Sequence, residues 1–223
     1  MQGLSTKPMH REIMRTMQID VFFDPICPWC YIGKRRLQRA LGLRSSISAT
    51  LNWQPFMLNP EMPPSGMERT IYLAHKFGSE SRVRRLLGAL EKTGQSEEID
   101  FQFDRIDHTP ATVNAHRLVH YANEFGLAES VVERLFSAYF EEGRDIGGLD
   151  ELSAIGRSVG LESSVLDGYL DSSTDVSWVR ERNSMAHRMG INGVPCFLLD
   201  GSLALQGAQP PETIARLLDA AAA

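Results

Sequence analysis

Gln18-Ile-Asp-Val-Phe-Phe-Asp-Pro-Ile-Cys-Pro-Trp-Cys30 is the stretch on which the reading of this chain turns. Its first six residues are rich in β-branched and aromatic side chains, and Asp24-Pro25 closes them, so they read as a strand ending at a turn. From Pro28 to about Leu43 no further proline interrupts the chain, and Trp29, Ile32, Leu37, Ala40 and Leu41 recur near helical spacing. Pro28 suits a first helical turn, where its missing N–H would have had no partner. Cys27 and Cys30 thus meet at a strand-to-helix junction, on one face of the first turn. Two thiols so placed can close a small disulfide, and the free N–H groups at the helix start favour negative charge on the outer sulfur. Cys27 is therefore read as the attacking thiol and Cys30 as the thiol that resolves a mixed disulfide.

The competing reading is half of a zinc site, which needs two more ligands. The chain has three cysteines and no second CxxC; Cys196 stands alone beside a proline, and His116 with His120 lies far along the chain. No metal is expected.

Outward from this stretch, Ala49 to Phe56 reads as a second strand, closed by Asn59-Pro60 and Pro63-Pro64. Residues 61–189 read as an all-helical block, with helical periods over His116 to Phe125, Glu129 to Glu141, Asp150 to Val159 and Val176 to Met189. After Gly190 the strand pattern returns in Cys196 to Asp200, followed by a turn at Asp200-Gly201, a strand from Ser202 to Gln206 and a helix from Pro211. A β-α-β unit and a hairpin each bury little alone. Residues 18–60 and 190–223 are therefore expected to share one sheet, with the helical block inserted and residues 1–17 as a mobile extension.

At 223 residues, 43% apolar and 23% charged, the chain is long enough and ordinary enough to build its own core, which excludes a disordered or fibrous protein. Lys and Arg number 23 against 28 Asp and Glu, for a net charge of -5, so no basic field invites nucleic acid or acidic lipid. No apolar window approaches the about eighteen residues of a membrane span, and the first seventeen residues carry no signal-peptide core. The expectation is a cytoplasmic monomer or homodimer with neither nucleic-acid nor membrane partners.

One more motif stands out. Gly193-Val194-Pro195 opens the late strand with a residue that cannot donate to a ladder. By itself it is an ordinary trans turn. Together with Asp24-Pro25-x-Cys-Pro-Trp-Cys-Tyr-Ile-Gly-Lys-Arg-Arg-Leu37, Asp200-Gly201 and Gly207-Ala-Gln209, however, it resembles the DsbA-like thioredoxin-fold oxidoreductases, in particular their cytoplasmic FrnE-like branch. The resemblance runs through Trp53, Pro55-Phe56, Leu58-Asn59-Pro60, Ala115-His-Arg-Leu118, Ala138-Tyr-Phe140 and Glu142-Gly-Arg-Asp-Ile146. It departs at Cys196, where relatives carry an aromatic residue, and at Ala111-Thr112, where they carry Asn-Thr.

The resemblance implies an α/β fold, a thioredoxin fold with an inserted all-helical domain. It further implies Cys27, Cys30 and a cis Pro195 as the catalytic set, with the Val194 backbone pairing an extended substrate segment. Pro28, the exposed indole of Trp29, Val194, His116 and Arg117 are the expected substrate-binding residues. The expected function is a thiol-disulfide oxidoreductase or disulfide isomerase acting on a thiol- or disulfide-containing protein or small molecule. It would work with a redox-active disulfide, no bound cofactor, and glutathione as a candidate reductant. Kappa-class glutathione transferases and hydroxychromene carboxylate isomerases share the architecture but typically carry serine at the position of Cys27, so a glutathione-dependent isomerase or transferase is the alternative, ahead of a zinc-binding or chaperone-like module. The run Lys34, Arg35, Arg36, Arg39 is expected to be a solvated helix face, Met57, Met62 and Met67 core filling, and Cys196 a buried, inert thiol.

Overall fold

The computed structural model describes residues 15–222. The extension expected over residues 1–17 lies outside the described residues as far as residue 14. Arg15–Met17, by contrast, already belong to the first strand, and Met17 is buried.

Strand β1 (Arg15–Phe23) points Met17, Ile19, Val21 and Phe23 to one face, the alternation that a strand with one apolar face requires. Helix α1 (Pro28–Gly42) carries the chain over to β2 (Ile47–Pro55), which pairs parallel to β1 with Val21 opposite Trp53. At the far end of the chain, β5 (Cys196–Leu199) pairs antiparallel to β1, and β6 (Leu203–Gln206) pairs antiparallel to β5, giving the order β2-β1-β5-β6. Helix α9 (Pro211–Ala222) packs on α1. This is the thioredoxin-type α/β arrangement that the resemblance implies, with the first and last parts of the chain in one sheet.

Between β2 and β5 lie α2 (Arg69–Phe77), α3 (Glu80–Gln95), α4 (Val113–Asn123), α5 (Ala128–Phe140), α6 (Leu149–Ser158), α7 (Ser163–Asp171) and α8 (Val176–Arg188). The block is not all-helical as expected. Met67–Glu68 (β3) pairs antiparallel with His108–Thr109 (β4), and two-residue strands are too short to leave a period-two pattern in a sequence. Glu68 also starts α2, because its carboxylate accepts hydrogen bonds from the Thr70 and Ile71 N–H groups. Phe23 joins the sheet to the inserted helices, meeting Phe136 on α5 and His116 on α4 edge to face.

The basic run on α1 is not a solvated face except at Arg39, which is exposed. Lys34 is only 2% exposed, and its Nζ lies 2.8 Å from Glu133 on α5, which Arg35 also engages. Arg36 and Arg39 hold the two oxygens of Glu97 at 2.7 and 2.8 Å. Both carboxylates stand some sixty to a hundred positions from their partners in sequence, so a local reading could not see them. Met57 and Met62 fill the core, while Met67 is half-buried in β3.

Candidate active site

Cys27 is the N-cap of α1, in extended backbone conformation, with Pro28 opening the helix behind it. No side chain among the described residues caps this end, and Pro28 brings no N–H, so the positive end of the helix lies beside Cys27 with the Trp29 N–H free of a helical partner. The turn is held by Cys27 N–H on the Asp24 carbonyl and Cys30 N–H on the Cys27 carbonyl, each 2.9 Å. Cys27, Cys30 and Cys196 are free thiols. Cys27 is 4% exposed, and its Sγ lies 3.6 Å from the Val194 carbonyl oxygen. Burial and the neighbouring Cys27 push the Cys30 thiol well above its ordinary pKa.

The Val194–Pro195 peptide bond is cis. The proline ring lies directly on α1 at Gly33, where an added Cβ would come within 2.7 Å of Pro195 Cγ and 3.3 Å of Phe197 Cζ. Glycine at this position is what lets the Pro195 segment approach the helix that carries the thiols. The motif that contains Gly33 was legible in the sequence, but this role for it was not.

Asp24 forms the floor of the site. It is buried, and its two carboxylate oxygens accept from Leu58 N–H at 2.7 Å and Ile26 N–H at 3.3 Å. Burial raises its pKa to about 6, against the lowering effect of those hydrogen bonds. The sequence displayed this residue only as turn punctuation before Pro25. A carboxyl whose pKa is raised in the folded state stabilises the fold most below the unfolded value and loses that contribution as pH rises through about 6. Asp24→Asn is therefore expected to flatten the pH dependence of stability: the wild type should lose about 3 kcal/mol more than the variant between about pH 3 and 7. Urea titrations at a series of pH values check this, and parallel curves for the two proteins would contradict it.

A cavity of about 260 Å³ opens over Cys27. Ile26, Pro28, Trp29, Gly193 and Val194 line it from the thioredoxin side, and α2 and α3 line it from above with Tyr72, Leu73, Lys76, Val83, Leu86, Leu87 and Leu90. Trp29 is 43% exposed at its rim. Lys76 Nζ donates to Tyr72 Oη at 2.7 Å, and Arg69 donates to Tyr139 Oη at 3.1 Å. The sequence reading did not single out any of the α2 and α3 residues, because their role depends on how the hairpin of helices folds back over the thiols.

His116 and Arg117 are not part of this cavity, contrary to expectation. The His116 ring packs on Phe23 with Nε2 buried and without a partner among the described residues, and burial lowers its pKa to about 3, so it is a neutral core group. Arg117 is 1% exposed and spends its guanidinium on Asn114 Oδ1 and on the carbonyls of Tyr169, Leu170, Ser172 and Thr174. The two residues belong to the helix junction behind the site. His120 stacks on Trp178 at 3.7 Å. Among the described residues no cluster of three or more His, Cys, Asp or Glu is placed to hold a metal ion.

Cys196 is buried among Phe22, Phe56, Ala186 and Ile191, and burial raises its thiol pKa. Alkylation of the native reduced protein is expected to modify Cys27 while sparing Cys196 until the chain unfolds. Rapid native labelling at Cys196, located by peptide mapping, would refute this.

A family model described as DSBA-like thioredoxin domain matches residues 18–219. The chain is 26% identical to a probable DsbA oxidoreductase from Streptomyces coelicolor, with a TM-score of 0.84 over 92% of this chain and 89% of that one. It is 24% identical over 194 residues to YwbO of Bacillus subtilis, covering 86% of this chain and 91% of that protein. In fold it is also similar to the cytosolic disulfide reductase DsbM of Pseudomonas aeruginosa, solved with GSH, at 20% identity and a TM-score of 0.61 over 91% of this chain and 98% of that one.

Proposed function

The chain belongs to the DSBA-like thioredoxin domain family, and on that premise we propose that it is a cytoplasmic thiol-disulfide oxidoreductase acting through Cys27 and Cys30. The observation that carries the reading is the geometry at Cys27: a thiol at the N-cap position of α1, 3.6 Å from the Val194 carbonyl, beside a cis proline, with a buried thiol one turn behind.

In the reducing direction the Cys27 thiolate attacks a substrate disulfide, bonds to one sulfur and expels the other as a thiolate. Cys30 then loses its proton and attacks Cys27 Sγ, and the second substrate thiolate leaves. Two electrons pass from the dithiol to the substrate, and a Cys27–Cys30 disulfide remains. Burial keeps Cys30 protonated while Cys27 reacts, which separates the roles of the two sulfurs. The negative charge of the Asp24 carboxylate adds to that effect, opposing ionisation of Cys30 further. Glutathione is a candidate reductant, in keeping with the GSH held by the similar DsbM. A glutathione-dependent isomerase or transferase, or a chaperone-like module, would leave the paired buried thiol Cys30 without a task, and a zinc-binding module would use both thiols but need two further ligands.

The test is equilibration in dithiothreitol redox buffers followed by peptide mapping. One two-electron couple between Cys27 and Cys30 is expected. Failure of that disulfide to form, or pairing of either thiol with Cys196, would overturn the proposal.

A further inference from the structure

The cavity over Cys27 has two chemically distinct parts. Leu73, Val83, Leu86, Leu87 and Leu90 make an apolar wall. At one corner the β3–β4 ladder sets Thr109 opposite Met67, two residues before Arg69, and the Arg69 N–H is fixed to the Asp107 carbonyl at 2.9 Å. The Arg69 guanidinium donates to Tyr139 Oη but makes no ion pair among the described residues. Thr109 is 1% exposed and lines the cavity. Its hydroxyl lies near the Tyr139 phenol without hydrogen-bond geometry and has no partner among the described residues. A buried hydroxyl left unpaired, next to a cation left without an anion, is the arrangement that a carboxylate completes.

Resting on the oxidoreductase reading, we propose that the substrate is a small thiol, or the disulfide containing it, with an apolar body and one carboxylate, the acid held by Arg69 and Thr109 and the body against α3. Size and access favour a small molecule over a polypeptide. The cavity, about 260 Å³, lies below the roughly 300–1,000 Å³ usual for drug-sized ligands. Gly193 and Val194 share it with α3, so helix stands over the backbone edge that an extended segment would need. Glutathione, polar along its whole length, leaves the leucine wall unused. The reaction is complete in one turnover: the dithiol gives two electrons and two protons to the disulfide, yielding two substrate thiols and the Cys27–Cys30 disulfide.

The experiment mixes the reduced full-length protein with the disulfide of ω-mercaptohexanoic acid, that of ω-mercaptohexanol, oxidised glutathione or insulin. Each single-turnover rate is divided by the rate of the same compound with dithiothreitol. The hexanoate disulfide is expected to exceed each of the others by about tenfold, the change that a charge-assisted hydrogen bond brings. Its advantage over the alcohol should vanish in Arg69→Met, weaken in Thr109→Val and survive in Arg69→Lys. Hexanoate, which has no sulfur, should slow alkylation of Cys27 in the wild type more than hexanol does, a readout independent of whether any variant folds. Equal normalised rates, or faster reaction with glutathione or insulin, would overturn the substrate class while leaving the oxidoreductase reading intact. A reduced protein inert to every disulfide would instead fail that reading and take the inference with it.

Discussion

Cys27→Ser is expected to abolish thiol-disulfide exchange, lowering the rate with a small disulfide by at least about a thousandfold, because a serine hydroxyl neither ionises near neutral pH nor forms a disulfide. Cys30→Ser should behave differently. It keeps the attacking sulfur at the helix start but lacks the thiol that would release the product, so it should accumulate a mixed disulfide on Cys27 that mass spectrometry detects as a stable adduct. The contrast follows from position: Cys27 faces the cavity and the Val194 carbonyl, whereas Cys30 is buried with its ionisation strongly opposed. Retained turnover in Cys27→Ser, or adducts forming equally through either sulfur, would remove the assignment.

The second large effect is on stability. Arg117 is the polar hub of the α4–α7–α8 junction, its guanidinium stacked 4.9 Å over Tyr169 and supplying hydrogen bonds to four backbone carbonyls. Those carbonyls belong to the end of α7 and the turn into α8, where Asp175 adopts a left-handed backbone and the regular helical ladder runs out. Arg117→Met retains much of the apolar stem and removes these bonds, leaving the Tyr169 carbonyl to the Ser172 N–H and hydroxyl alone. A loss of about 3–5 kcal/mol is expected, since a buried guanidinium gives up its stacking on Tyr169 and its hydrogen bonds to four carbonyls at once. Urea unfolding measures it. A loss below about 1 kcal/mol would mean that the turn finds other donors or is not held by this residue. Arg117→Lys should recover little, because a point ammonium cannot reproduce the planar fork.

What could be read from the sequence follows range of interaction. The four strands of the main sheet announce themselves locally, β1 and β2 through β-branched and aromatic residues and β5 and β6 through short apolar stretches on either side of Asp200-Gly201, and the Cys27–Cys30 pair is a spacing. The cis bond at Pro195 was reachable only through the family motif, as the local prior for any proline is trans. Arg117 and His116 were expected in the cleft because their motif is legible while their direction is not: α4 turns both toward its helical neighbours and Phe23. The α1 cations differ from expectation for a related reason. A basic run on a helix reads as solvated unless its carboxylates are near in sequence, and Glu97 and Glu133 are not. Arg69, Lys76 and Thr109 came into view only when α2, α3 and the β3–β4 ladder were folded onto Cys27.

Those same ion pairs set a limit on modularity. Because Glu97 and Glu133 both come from the inserted segment and both grip α1, the helix that carries the thiols is shared property of the two parts of the chain. Excising residues 61–189 to obtain a minimal redox module would leave four cations crowded on one helix without their counter-ions and strip the Tyr31 ring of its stacking partner Phe136. Grafting the CPWC turn onto another scaffold meets the same obstacle from the other side, since Gly33 and the carboxylate anchors must travel with it. The insertion and the helix that carries the thiols are thus one packed unit rather than two separable modules.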